Sequence, residues 1–328
     1  MKHKILDTNI LILNTRMKKI ITLLLVVTST LSFAQQDPQF SQYQFNQMVI
    51  NPAYAGSRDA ISALVDLRSQ WAGSGAPRTQ AFSLHSPLKK KRIGLGLSGY
   101  ADQIGPKNTV GVYGSFAYIL PVSNKLKLSF GLRGGFVSYK FDWAKLTYEN
   151  LTEQQAVNSL QNQHTKFDLD AGLYLKSNSF YCGLSVTHLN SAKIYNEQLS
   201  NSVAGGSSIN FKYTMRPHLF FIISKGFAAG ENLVINPTIM IKSSEGIAST
   251  DLNINFLIKK RVWLGTFLRS GGTMGFLAQF YATDKLRIGY AFDRSFSKIQ
   301  NQLGSGHEIM IGFDFSTFKA TMLSPRYL

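Results

Sequence analysis

From about residue 60 onward the chain alternates apolar and polar residues, stretch after stretch, and no long apolar helix follows the leader. Phe167-Asp168-Leu169-Asp170-Ala171-Gly172-Leu173-Tyr174-Leu175 is representative: Phe, Leu, Ala, Leu and Leu fall on one side, and Asp, Asp, Gly and Tyr on the other. A period of two sends successive side chains to opposite faces of a strand. In a soluble sandwich the polar face meets water. In a membrane barrel the apolar face meets lipid and the polar face lines the lumen.

Strands are expected at 60–71, 78–86, 93–102, 109–120, 125–141, 165–176, 179–189, 207–223, 232–243, 249–259, 262–270, 273–283, 285–295 and 307–317. That makes about fourteen, an even number within the range of bacterial barrels. Gly134-Gly135 interrupts the alternation and predicts a bulge, and Pro217 interrupts the strand from Ser207. With the first strand starting at the periplasmic side, every even-numbered turn is short. The three long connections, Asp142–His164, Asn190–Gly206 and Ser295–Gly306, all have odd parity. Short periplasmic turns and longer outer loops are the rule for outer-membrane barrels. The apolar sides, such as Leu126/Leu128/Phe130/Leu132, Ile209/Phe211/Tyr213 and Leu252/Ile254/Phe256/Ile258, fit lipid.

The leader supports export. Lys18-Lys19, an apolar run from Ile20 to Val27 and the small-residue stretch ending at Ala34 read as a signal peptide cleaved after Ala34, with Met17 as initiator and residues 1–16 as an upstream extension. The domain reading is then 1–34 extension and leader, 35–58 N-terminal plug, and 59–328 barrel. Lys+Arg number 35 against 18 Asp+Glu. The exported chain stays strongly basic, which points to lipid phosphates or an acidic protein rather than nucleic acid. Cys182 is the only cysteine, so neither an internal disulfide nor a multi-cysteine metal site can form.

The segment before the first strand begins with Asp37 as N-cap and Pro38 at the first helical position. It predicts a helix over Pro38–Met48 at the periplasmic end of the barrel, with Phe40, Tyr43 and Phe45 as its anchoring aromatics. Thr152-Glu153-Gln154-Gln155 has the spacing of a capping box and predicts a second helix in the first long loop.

Asp37-Pro38-Gln39-Phe40-Ser41-Gln42-Tyr43, Asn51-Pro52-Ala53-Tyr54-Ala55-Gly56, Gln70-Trp71, Pro77-Arg78-Thr79, His85-Ser86-Pro87-Leu88, Gly94-Leu95-Gly96-Leu97 and Asp102-Gln103-Ile104-Gly105 occur in that order, followed near the end by Ser324-Pro325-Arg326-Tyr327. This series resembles the PorP/SprF family of Bacteroidota outer-membrane proteins. The resemblance implies an outer-membrane protein associated with type IX secretion and gliding motility, acting in the secretion apparatus or helping a large adhesin reach the surface.

No catalytic constellation is evident. The histidines lack metal-ligand spacing, and no cofactor is expected. Gly94-Leu95-Gly96-Leu97-Ser98-Gly99 lies within a strand with no helix after it, so it is not a nucleotide loop. The polar strand faces carry Asp66, Arg68, Asp102, Arg133, Asp168, Asp170, Lys212, Arg216, Arg287, Asp293 and Asp314. Mixed signs at close quarters predict internal ion pairs and a filled lumen rather than an open channel. The short turns are basic: Lys89, Lys90, Lys91 and Arg92 in one, Lys259, Lys260 and Arg261 in another. They are candidates for docking an acidic secretion component or adhesin, or for holding inner-leaflet lipid phosphates. The expected protein is an all-β transmembrane antiparallel barrel of about fourteen strands with a short N-terminal helical plug, acting as a non-enzymatic secretion accessory. The alternative is a porin-like or plugged transport barrel.

Overall fold

The computed structural model describes residues 37–58, 60–71, 75–88, 92–146, 163–200, 208–296 and 304–315, without the side chains of 194–213. The leader, the expected loop helix at Thr152–Gln155 and Lys89–Lys91 lie outside the described residues.

The alternating segments become β1 (Ile61–Ser69), β2 (Arg78–Pro87), β3 (Ile93–Ile104), β4 (Lys107–Pro121), β5 (Lys127–Phe141), β6 (Gln163–Lys176) and β7 (Phe180–Thr187). Then come β8 (Lys193–Ser200), β9 (Ser208–Thr214), β10 (His218–Lys225), β11 (Phe227–Ala228), β12 (Leu233–Ser244) and β13 (Ile247–Ile258). The last four are β14 (Val262–Arg269), β15 (Thr273–Tyr281), β16 (Leu286–Ser295) and β17 (Ser305–Phe315). Neighbouring strands pair antiparallel, β7 pairs with β10, and β1 closes on β17 from Ile61↔Phe315 to Ser69↔His307. The result is a closed barrel of fourteen strands, with no free edge in its wall.

β10 and β11 are one wall strand. Both pair with β12 in a single register, and the ladder breaks opposite Pro237, which has no N–H to donate. Proline acts a second time at Pro217. The strand expected over 207–223 is two elements: β9 pairs with β8 in a separate two-stranded sheet, and only β10 enters the wall. Ile209, Phe211 and Tyr213 therefore belong to that hairpin and not to the barrel's lipid face. The expected bulge at Gly134-Gly135 is absent. Register runs unbroken from Lys107↔Phe141 to Pro121↔Lys127 across β4–β5, and from Lys127↔Lys176 to Lys140↔Gln163 across β5–β6.

The alternation sorts as a membrane wall requires. Val65, Leu67, Phe82, Leu84, Leu95, Leu97, Val110, Val112, Phe116, Phe130, Leu132, Phe136, Leu252, Ile254, Ile309 and Ile311 all face outward and exposed. A band of that extent is far beyond the apolar patches of soluble monomers. The inward positions of the same strands are buried and include Asp66, Arg68, Arg133, Asp168, Asp170, Arg287 and Asp293. No helix among the described residues is long and apolar enough to cross a membrane.

The connections keep the expected parity. At one end the turns are short, as at Ser177–Ser179 and Lys259–Arg261. At the other end lie the long connections, including the one that carries the β8–β9 hairpin.

Candidate functional site

The inward faces of the strands do not enclose an open pore around their charges, because residues 37–58 run through the lumen. Asp37 meets His188 and His218, at the long-loop ends of β7 and β10. Ser57 accepts a hydrogen bond from Lys176 Nζ at 2.9 Å, at the short-turn end of β6. The segment thus crosses from one side of the lumen to the other before β1 begins, and is not confined to the short-turn end.

The segment is not the expected continuous helix. Ser41–Phe45 is a series of bends and turns, and only Gln47–Val49 and Pro52–Tyr54 form single turns of 3-10 helix. Asp37 caps nothing, because its carboxylate is turned to the wall. Asn51 does cap, with its side chain accepting the Ala53 N–H at 2.9 Å.

Irregular backbone in a lumen needs partners for its polar groups, and the wall supplies them. Glu308 accepts the N–H groups of Ser41 (2.6 Å) and Gln42 (2.8 Å). Arg133 donates from Nη1 to the carbonyls of Met48 (2.9 Å) and Val49 (3.0 Å) while its Nε pairs with Asp170. Ser185 Oγ donates to the Ile50 carbonyl at 2.6 Å, and Asn51 Nδ2 to the Leu173 carbonyl at 2.9 Å. Asn253 and Asn255 donate to Tyr43 Oη (2.6 Å) and Gln44 Oε1 (2.8 Å).

The aromatics add apolar contact. Phe40 and Tyr43 are buried in one core with Met48, Ile50 and Tyr54. Phe45, half-buried, meets Trp263 edge-on at a centroid distance of 5.8 Å. Each buried large side chain contributes on the order of 1.5–3 kcal/mol.

The lumen charges form local clusters. Arg68 Nη1 lies 2.8 Å from Asp293 and 3.0 Å from Glu308, and also donates to Ser41 Oγ at 2.9 Å. Asp66 is buried on the same face of β1, with no hydrogen bond to either oxygen. Arg58 and Arg287 share Asp314 at 3.4 and 3.7 Å. Arg269 pairs with Asp251. Asp168 accepts from Tyr113 Oη at 2.9 Å and contacts His188 Nδ1 at 2.7 Å.

Two residues expected in the lumen need correction. Arg216 precedes β10, is exposed, and pairs with Glu245 at 2.9 Å. Lys212 sits on β9 of the side hairpin, outside the barrel wall. Pro217 separates both from the wall strand. Sequence reading also missed that His188 and His218 come together, since they are far apart in the chain and only the β7–β10 pairing joins them. Glu308, Asp251 and Arg269 were likewise missed, although each sits at an inward position of its strand.

The wall is also shaped to admit the segment. A Cβ at Gly131 would overlap the Ala53 backbone, and one at Gly172 would overlap the Asn51 side chain.

Of the basic turn residues, Arg92, Lys259, Lys260 and Arg261 are exposed on the short-turn rim. Lys259 and Lys260 both take positive φ, 48° and 55°.

Fold and lumen together define a fourteen-stranded outer-membrane barrel occupied by its own N-terminal segment. Comparable walls occur in the CymD monoaromatic hydrocarbon channel (11% identity, 82% of this chain, 91% of that chain, TM-score 0.51). The toluene transporter TbuX of Ralstonia pickettii is similar too (11% identity, 82% of this chain, 93% of that chain, TM-score 0.50). At that identity the likeness is one of fold alone. The sequence matches no curated protein. The model of the type IX secretion system membrane protein PorP/SprF matches residues 32–313, and the chain belongs to that family.

Two outcomes follow from the geometry. Gly131→Leu should prevent the segment from seating, at a cost of about 3 kcal/mol or more. Refolded barrel should then lose its heat-modifiable compact band on gels, whereas Phe136→Leu on the outward face should keep it. Arg68→Met strands two buried carboxylates and should cost about 3–5 kcal/mol, measured as a lower urea midpoint. Adding Glu308→Gln and Asp293→Asn to that variant should recover part of the loss.

Proposed function

We propose that this protein is a non-enzymatic accessory barrel of type IX secretion that works through its rims and not through its lumen. The observation that carries the reading is the seating of residues 37–58. The backbone of the segment is bonded to wall side chains along its length, and the wall keeps glycine where the segment passes closest. Displacing it to open a path would break buried ion pairs and orphan buried backbone groups, each costing about 1–3 kcal/mol. A transport barrel for a small solute, the second reading, needs such a path.

The proposed docking surface is the short-turn rim, oriented to the periplasm, with Lys259, Lys260, Arg261 and Arg92 exposed on it and Lys89–Lys91 adjoining in sequence. The proposed partner is an acidic secretion component or the terminal domain of a secreted adhesin. Charge complementarity of this kind governs encounter and specificity, so the association weakens with salt.

The test is charge reversal. Lys90→Glu, Lys91→Glu, Lys259→Glu and Lys260→Glu together should leave the barrel inserted and should abolish co-purification and surface display of the partner. Normal display from the inserted variant would reduce the rim to a lipid contact. The orientation is checked separately with an impermeant thiol reagent on intact cells, in a Cys182→Ser background. A cysteine within Asn190–Gly206 should label and one within Lys259–Arg261 should not. Steady open pores in planar bilayers would favour the transport reading instead.

A further inference from the structure

The meeting of Asp37 with β7 and β10 has a chemistry that the docking role does not use. His188 immediately follows β7 and His218 opens β10. His188 Nε2 lies 3.0 Å from both oxygens of Asp37. His218 Nδ1 lies 3.6 Å from Asp37 Oδ2. One ring nitrogen of each histidine and one Asp37 oxygen all fall within 4.8 Å of one another.

Both imidazoles are held from behind. His188 Nδ1 faces Asp168 Oδ2 at 2.7 Å, and that carboxylate is itself fixed by Tyr113 Oη at 2.9 Å. His218 Nδ1 faces the Arg216 carbonyl at 2.9 Å. A ligating histidine commonly donates its second ring N–H to a carboxylate or a backbone carbonyl in this way, which fixes the tautomer and leaves Nε2 as the ligand atom, here the nitrogen that His188 already turns to Asp37 and the one left unpartnered on His218. His218 Nε2, buried, has no hydrogen-bond partner. A buried ring nitrogen without a partner calls for an explanation.

Charge points the same way. The carboxylates of Asp37, Asp168 and Asp170 converge here, while the guanidinium of Arg133 is paired with Asp170. As it stands His188 meets a carboxylate from each ring nitrogen and so carries both protons; a divalent cation would take the place of the Nε2 proton and balance the same carboxylates. A cavity bordered by Asp37, His188, Val49, Tyr100, Tyr113 and Arg133 adjoins the carboxylate.

We infer that Asp37, His188 and His218 form a site for a divalent transition metal of the zinc class, tying the N-terminal segment to the wall where β7 and β10 end. Two imidazoles and one carboxylate suit zinc, whereas magnesium and calcium prefer oxygen donors. The three ligands come from three chain segments, so the ion would act as a cross-link. It would bind the folded state alone and stabilise it by mass action.

The experiment uses the full mature chain, refolded in detergent, stripped with chelator, and carrying a purification tag without histidine. Titration with Co²⁺ should produce visible d–d absorption that saturates at about one equivalent. Zn²⁺ should bleach that absorption and raise the temperature at which the compact band is lost. His218→Ala, which removes a ligand but not the Asp37–His188 contact, should keep the compact band and lose both responses, and Asp37→Asn should weaken the absorption at least tenfold in Co²⁺ affinity. A wild-type barrel that gives no absorption with Co²⁺ and no thermal shift with Zn²⁺ overturns the inference, and leaves an ion cluster in which His188 carries the balancing proton. Equal Co²⁺ spectra for wild type and His218→Ala overturn it as well.

Discussion

Glu308 accepts two successive backbone N–H groups of the N-terminal segment, and Arg68 holds that carboxylate from behind at 3.0 Å. The architecture of the lumen follows from contacts of this kind. A helix or a strand satisfies its own backbone or its neighbour's, but a chain of turns inside a closed wall must be satisfied by wall side chains. The lumen charges are therefore only partly an electrostatic lining. Arg133, Arg269 and Glu308 each bond the segment's backbone while pairing with an opposite charge on the wall. Burying such charges is costly unless their remaining hydrogen-bonding positions are filled. The segment fills many of them, so wall and segment stabilise one another.

Mutual dependence also explains where the wall is thin. Inward positions that elsewhere carry Tyr113, Tyr174 or Trp263 become glycine at 131 and 172, because the turns at Asn51–Ala53 lie against the strand backbones there. The apolar share of the contact is concentrated where Phe40, Tyr43, Met48 and Ile50 meet Tyr174, Phe220 and Ile222. Beside it, on β13, the contact is carried by polar groups, with Asn253 and Asn255 reaching Tyr43 and Gln44.

The barrel was legible from residue types because a period of two leaves little freedom: Asp168 and Asp170 had to share a face, and that face had to be the interior once Leu173 and Phe167 met lipid. The strand at 207–223 was misread for an equally definite reason. Alternation continues through Ser208–Thr214 whether the strand pairs with the wall or with β8, and only Pro217 marks the break. The filled lumen followed from mixed charges, and the aromatics Phe40, Tyr43 and Phe45 marked its occupant. The occupant's conformation was hidden, because Asp37-Pro38 is a good helix start in isolation and the competing partner, His188, is more than a hundred residues away. The pairing of His188 with His218 was hidden likewise, since it depends on β7 lying next to β10 across an intervening hairpin.

The turn between β13 and β14 carries a cost that folding alone does not explain. Two of its three residues, Lys259 and Lys260, have positive φ, the left-handed region that glycine or asparagine fits better. Left-handed backbone disfavours an ordinary side chain by about 1–2 kcal/mol per residue. The lysines gain little in return. Both are exposed, and the adjoining Arg261 reaches Asp284 only at 3.9 Å, with both groups largely solvated. Such a pair is worth about 0–1 kcal/mol. A hairpin tip that favours exposed cations over a better turn sequence fits a surface shaped by what it meets. Inside the lumen the balance is reversed: Arg133, Arg269 and Glu308, which bond the segment, are each paired with an opposite charge, and glycine stands where the fit is closest. The interior is fitted to its own chain, while the rim keeps its cations in solvent.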